Sequence, residues 1–246
     1  MILLVLFTAV FPAAARADQG GATDNGIFHV GHFSGADPSE KIPSGWEPLT
    51  FEEIDAHTDY RLVDFKGTTV VRAESDGAAS GLIRKVRIDP RKYPVIQWRW
   101  RARSIYEKGD VRRKSGDDYP ARIYVAFEYD PDKVGFFERA KFKLVKTIYG
   151  EYPPIGAINY IWASNAPEGK IVPNAFTERA MMIVVESGGE NTNTWVSESR
   201  NILEDYKAAF GKEPPMIRGI AIMTDTDNTN DSTVTYYGDI VMKASE

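Results

Sequence analysis

Two stretches of this chain alternate apolar and polar residues with the period of a β-strand. In residues 94–103 (PVIQWRWRAR), Ile96, Trp98, Trp100 and Ala102 share one face, and Gln97, Arg99, Arg101 and Arg103 share the other. In residues 121–129 (ARIYVAFEY), Ala121, Ile123, Val125 and Phe127 oppose Arg122, Tyr124 and Glu128. Successive strand side chains point to opposite sides, so each segment has one core face and one solvated or functional face. Further strands are predicted over residues 27–33, 61–65, 69–74, 81–88, 157–163, 181–186, 217–224 and 234–242. Turn formers divide them, among them Pro38, Asp76-Gly77, Asp89-Pro90, Gly188-Gly189 and Pro214-Pro215. About ten strands in one domain predict a two-sheet sandwich, because one open sheet that wide leaves apolar faces uncovered.

Two helices are predicted beside the strands. Over residues 195–210, Trp195, Ser199, Ile202, Leu203, Tyr206 and Phe210 form a stripe, and Gly211 follows as a C-cap. Over residues 136–149, Phe137, Ala140, Leu144, Val145 and Ile148 form a second stripe against Lys141, Lys143 and Lys146. Both are expected across an open end or edge. The predicted fold class is therefore an all-β, two-sheet β-sandwich (jelly roll) with two peripheral helices.

The first seventeen residues, MILLVLFTAVFPAAARA, read differently. An apolar run from Ile2 to Val10 leads through Pro12 to Ala15-Arg16-Ala17, the pattern of a signal peptide cleaved between Ala17 and Asp18. The run is far short of the roughly 20 residues that span a bilayer, and nothing later is long and apolar enough to do so. The expected organisation is a signal peptide at 1–17, a flexible tail at 18–26 and one sandwich domain at 27–246. The expected location is periplasmic or secreted, with no integral membrane segment in the mature chain.

Composition narrows the chemistry. The chain has no cysteine, which excludes disulfides, thiolate zinc sites and a cysteine nucleophile. Thirty Lys and Arg against 35 Asp and Glu give a net charge of −5, with both signs interspersed. No basic stripe points to nucleic acid, and no polybasic cluster points to anionic lipid.

Three groups of residues are candidates for a site. Asp225, Asp227, Asn228, Asn230 and Asp231 crowd oxygen ligands of the kind calcium takes, with Asp225, Asp227 and Asn228 as the ligand set. The spacing is not that of an EF-hand, and Asp and Asn also build tight polar turns by bonding their own backbone. Arg99, Arg101, Arg122 and Asp117-Asp118 form a second group. If their strands are neighbours, Arg101 and Arg122 project from one face with the acids at its edge, as a ligand fork or as a structural charge network. Tyr160 and Trp162 share a face opposite Asn159 and Ile161 and are candidates for an aromatic platform, whereas Trp98 and Trp100 fall on a core face.

Catalysis finds little support, and no catalytic residue is assigned. His29 and His32 point to opposite faces of their strand, and G-x-S-x-G, H-E-x-x-H, P-loop and G-x-G-x-x-G patterns are absent. Carboxyl pairs such as Asp118 with Asp225 or Asp227 keep glycosidic cleavage open.

Several phrases carry a resemblance: Trp98-Arg99-Trp100, Gly116 to Arg122 (GDDYPAR), Asn159 to Ala163 (NYIWA), Glu204-Asp205-Tyr206 and Met223 to Thr229 (MTDTDNT). Together they resemble the bacterial family called domain of unknown function 3047, from about Phe28 to Lys243. That family implies fold and export more than chemistry. Phe33 with Gly45-Trp46, and the closing Tyr236-Tyr237-Gly238-Asp239-Ile240, are similar to galactose-binding-like jelly-roll carbohydrate-binding modules. This second resemblance implies a jelly roll with adjacent terminal strands.

The expected function is that of an exported, non-catalytic binding protein. It recognises a polar small molecule or glycan, such as a saccharide or cell-envelope glycan, through Arg101, Asp118, Arg122, Tyr160, Trp162, Asp225 and Asp227. The alternatives are a carboxylate-dependent glycan hydrolase or lyase on the same fold, and a structural envelope protein with a protein partner. Fold alone cannot separate the three.

Overall fold

The computed structural model describes residues 23–24, 26–130, 135, 139, 142–143 and 153–244. Its strands are β1 (Thr23–Asp24), β2 (Ile27–Gly31), β3 (Glu47–Leu49), β4 (Asp59–Phe65), β5 (Thr68–Asp76), β6 (Ala79–Ile88), β7 (Val95–Ala102) and β8 (Arg122–Phe127). Then follow β9 (Gly156–Ala163), β10 (Ile171–Pro173), β11 (Ala180–Ser187), β12 (Val196–Asn201), β13 (Ile217–Asp225), β14 (Ser232–Tyr237) and β15 (Ile240–Lys243). One sheet has eight strands, ordered β1-β2-β15-β7-β14-β5-β4, with β12 also on β7; the second has seven, ordered β10-β11-β9-β8-β13-β6-β3. Strands β2 and β15 pair, so the ends of the domain are adjacent.

Alternation explains the core. Leu62, Val71, Trp98, Trp100 and Tyr237 from the first sheet meet Ile123, Val125, Tyr160, Trp162, Ile220 and Ile222 from the second. The Trp98 ring lies 5.2 Å from Tyr160, and Trp100 lies 6.1 Å from Trp162, so indoles on β7 lock onto aromatics on β9 across the sandwich. Fully burying one large apolar side chain contributes roughly 1.5–3 kcal/mol.

The two outer faces differ. Behind the seven-stranded sheet, Tyr124, Ala221 and Met223 pack with Leu49, Phe51 and Ile54, while Ile161, Ala163 and Met182 pack with Val111 and Tyr119. Strand β9 is consequently buried along its whole length, on both faces. The eight-stranded sheet keeps an open outer face, where Arg99 and Arg101 of β7 alternate with the buried indoles.

The predicted helix over 195–210 is half right. Residues Val196–Asn201 instead form β12 on the edge of β7, and α1 (Ile202–Phe210) begins only afterwards. Two causes act together. The segment VSESR alternates and finds an unpaired strand edge, and the Asn201 side chain accepts from the Leu203 and Glu204 amides at 3.1 and 3.3 Å. An Asn cap of this kind fixes where a helix starts. Gly211 closes the helix in the left-handed region, at φ 68°. The helix predicted over 136–149 falls mostly outside the described residues, as do the segment 1–17 expected to be a signal peptide and most of the segment 18–26 expected to be a tail; Thr23–Asp24 pairs with β2. Among the described residues no helix is long and apolar enough to cross a membrane.

Candidate functional site

Two regions concentrate arginine and aromatic side chains, and they lie on opposite outer faces. The first is sealed behind the seven-stranded sheet, where β8 and β13 run side by side. Arg122 donates from Nε to Asp225 at 2.8 Å, and a second guanidinium nitrogen meets the other Asp225 oxygen. The guanidinium lies over the Tyr119 ring at 4.3 Å and donates to the Tyr124 hydroxyl at 3.1 Å. Asp117 accepts from the Tyr119 hydroxyl at 3.1 Å and from Asn174 at 2.8 Å. Asp118 accepts from the Thr229 amide at 2.6 Å, the Thr229 hydroxyl at 2.7 Å and the Asn228 side chain at 3.0 Å. This ties the segment before β8 to the turn after β13.

Charge in this cluster is unbalanced. Asp117, Asp118 and Asp225 are all buried around the single buried guanidinium of Arg122. Burial pushes the Asp225 carboxyl up while Arg122 pulls against it, and Asp118 and Asp117 add repulsion. Asp227, half-buried at the rim, is pushed up to about 6, first by burial and then by the Asp118 charge. Carboxylate oxygens of Asp118, Asp225 and Asp227 all lie within 4.8 Å of one another. As a cation site the set has a defect: Thr229 and Asn228 already occupy Asp118, and Arg122 already grips Asp225. The Asn228 side chain donates to Asp118 through its nitrogen, so it serves the turn.

The second region is open. A groove of about 430 Å³ crosses the outer face of the eight-stranded sheet, floored by Val70, Arg99 and Arg101 and walled by Phe65, Lys66 and Trp195. The β4–β5 hairpin supplies one wall through a two-residue turn in which both Lys66 (φ 56°) and Gly67 (φ 84°) are left-handed, the geometry that matches strand twist in a tight hairpin. The segment before β12 supplies the other. Its Asn193 accepts from Arg101 Nε at 2.9 Å through its carbonyl and donates its amide to Ala102 at 2.8 Å. Arg99 lies over the Trp195 ring at 4.8 Å, and Arg101 lies over Phe65 at 5.3 Å and Tyr236 at 5.8 Å. Gly238, between β14 and β15, admits the Arg99 side chain, because a Cβ there would stand 2.5 Å from Arg99 Nε.

A third feature sits at the sandwich edge between β11 and β12. Glu198 faces inward beside Trp98 and Trp100. Burial, then repulsion from Glu186, push its carboxyl up to about 7. Glu186 is buried and held by the Ser187 amide at 2.9 Å and by Asn191 at 3.2 Å.

The residues expected from sequence therefore scatter. Arg101 lies in the open groove, whereas Asp118, Arg122 and Asp225 lie in the sealed cluster with Asp227 at its rim. Arg101 and Arg122 do not share a face: β7 and β8 belong to different sheets and both side chains point outward. Tyr160 and Trp162 are not a surface platform. Both are 0% exposed, the Tyr160 hydroxyl donates to Asp205 at 2.8 Å and the Trp162 indole donates to the Gly188 carbonyl at 3.0 Å. The groove aromatics Phe65 and Trp195, and Tyr236 under Arg101, were absent from the expected set. One signal for them was readable: in adjacent Tyr236-Tyr237 on a strand, one ring must face outward.

The family model described as protein of unknown function (DUF3047) matches residues 44–241, and the chain belongs to that family. No curated protein matches it. Among solved structures it is similar to the Emp47p carbohydrate recognition domain, at 9% identity and TM-score 0.45 over 92% of this chain and 100% of that one. It is similar at 9% identity and TM-score 0.40, over 89% and 98%, to the family 30 carbohydrate-binding module of a Clostridium thermocellum cellulosomal cellulase. A third likeness, at 10% identity and TM-score 0.40 over 89% and 98%, is to the K2 cleaved adhesin domain of Lys-gingipain. At this level of similarity none of the three bears on what this chain binds.

Proposed function

We propose that the protein is exported, cleaved between Ala17 and Asp18, and acts outside the cytoplasm as a binding protein for a polar ligand of the saccharide class. The ligand lies in the outer-face groove, against Arg99 and Arg101 with Trp195 and Phe65 beside them. The observation that carries the reading is the groove itself, a concave opening where half-buried aromatics and hydrogen-bonding side chains converge. Sugars are held by that combination of flat apolar faces and polar forks. Of the candidates read from sequence, Arg101 and its face-mate Arg99 touch ligand, while Asp118, Arg122, Asp225 and the core pair Tyr160 and Trp162 hold the scaffold.

Thermal unfolding across a set of neutral and acidic oligosaccharides tests this. A ligand at about 100 times its dissociation constant adds roughly 2.7 kcal/mol, a shift of a few degrees for a chain of this size. The shift is expected to vanish in the Arg101→Ala, Trp195→Ala double variant. No shift with any saccharide would remove the reading. For export, the N-terminus of protein recovered outside the cytoplasm is expected to begin at Asp18.

Calcium belongs to the same test. The grouping of Asp118, Asp225 and Asp227 favours an ion, and the engagement of their oxygens by Arg122, Thr229 and Asn228 opposes one. A calcium-dependent rise in midpoint that Asp227→Asn abolishes would assign the ion to the rim. An unchanged midpoint leaves the cluster as a protein network.

A further inference from the structure

Resting on the saccharide reading of the groove, we infer that the ligand is an acidic saccharide, whose carboxylate or sulfate-type groups pair with Arg99, Arg101 and Lys66. The argument is one of unneutralised charge. Two other arginines on the same outer face are answered by acids on their own strand, Arg61 by Asp59 and Arg72 by Glu74 at 2.8 Å. Arg99, Arg101 and Lys66 have no such partner. Among the described residues none of the three forms an ion pair, and no Asp or Glu lines the groove. This occurs in a chain whose net charge is −5, so the local excess does not follow from composition.

The geometry fits a ligand with more than one anionic group. Arg99 and Arg101 are two residues apart on one face of β7, which places their Cα atoms about 6.7 Å apart along the strand. Lys66 stands on the hairpin tip across the groove. Both guanidinium groups lie over aromatic rings, and Arg101 is held further by the Asn193 carbonyl at 2.9 Å. The forks are thus oriented before a ligand arrives, which lowers the ordering cost of binding. Arginine pairs with planar anions through two parallel hydrogen bonds, and a neutral sugar cannot return that charge.

The test is an array carrying uronate, sulfated and phosphorylated oligosaccharides beside their neutral parents, with a polyglutamate peptide as a second anion. The expected result is retention of acidic members at least about tenfold tighter than the neutral parents. Binding should weaken as salt rises from about 50 to 300 mM, and at least about tenfold in Arg99→Gln, Arg101→Gln, with an unfolding midpoint close to that of the parent. Neutral parents bound as tightly as their acidic counterparts, and lost in Trp195→Ala, would overturn the acidic class while leaving the groove as a saccharide site. Polyglutamate bound as tightly as any glycan would overturn the saccharide and assign an acidic protein. No retention of any member would overturn both readings.

Discussion

The sealed cluster and the open groove use the same ingredients to opposite ends. In the cluster, Arg122 stacks on Tyr119 and is surrounded by Asp225, Asp117 and the Tyr124 hydroxyl; every strong donor has an acceptor within the protein. In the groove, Arg99 stacks on Trp195 and Arg101 on Phe65, but among the described residues no carboxylate completes either fork. A guanidinium answered by buried acids has no affinity left for a ligand. One held by ring faces and a single carbonyl keeps most of its donors for one. Residue type alone is therefore a poor guide to function; what matters is whether its charge is spent internally.

The largest expected effect separates the two regions directly. Arg122→Met leaves the Asp225 and Asp117 carboxyls buried without their cation, and breaking a buried pair in this way costs about 3–5 kcal/mol. Urea unfolding should show that loss, and a cost below about 1 kcal/mol would mean the cluster does not hold the segment before β8 to the turn after β13. Arg101→Ala, by contrast, removes a half-buried side chain that lies over two rings, and should cost only about 0.5–1 kcal/mol of stability.

Between these extremes, Gly238→Ala places a Cβ 2.6 Å from Arg99 Cγ and forces that side chain off its seat. The expected cost to the fold is about 1–2 kcal/mol, accompanied by several-fold weaker ligand binding. An unchanged affinity would take Arg99 out of the site. A comparably small effect concerns Glu198, a third way of handling charge. Its folded-state pKa of about 7 stands above the 4.5 of an ordinary glutamate. The native state holds that proton more tightly than the unfolded chain does. Stability from this group is complete below about pH 4.5 and is lost as pH rises through about 7. Glu198→Gln should match the parent near pH 4 and exceed it by about 1 kcal/mol at pH 8, after allowance for solvent screening. Equal pH profiles for the two proteins would show that Glu186 and burial do not act on Glu198.

Much of the fold was legible because it depends on local alternation. The period of two in Ile96, Trp98, Trp100 and Ala102 sets which face of β7 is buried, whatever lies opposite. The turn pairs marked strand ends for the same local reason. The helix start was not legible, since residues 196–201 satisfy both a helical stripe and a strand alternation. An unpaired edge on β7, far away in sequence, decided between them. The same applies to Arg101 and Arg122, whose strands alternate alike but enter different sheets.

The sites follow this division. Sequence by itself determined that Arg99 and Arg101 share a solvent face and that Trp98 and Trp100 do not, because side-chain direction along a strand is a property of the backbone. It also determined that no disulfide or thiolate chemistry is available. Only the tertiary structure decided that Asp118 meets Thr229 and Asn228, that Tyr160 and Trp162 are sealed between sheets, and that Phe65, Lys66 and Trp195 converge on the two arginines. Those outcomes depend on contacts between residues roughly 30 to more than 100 positions apart, set by sheet order and register, which no local pattern encodes.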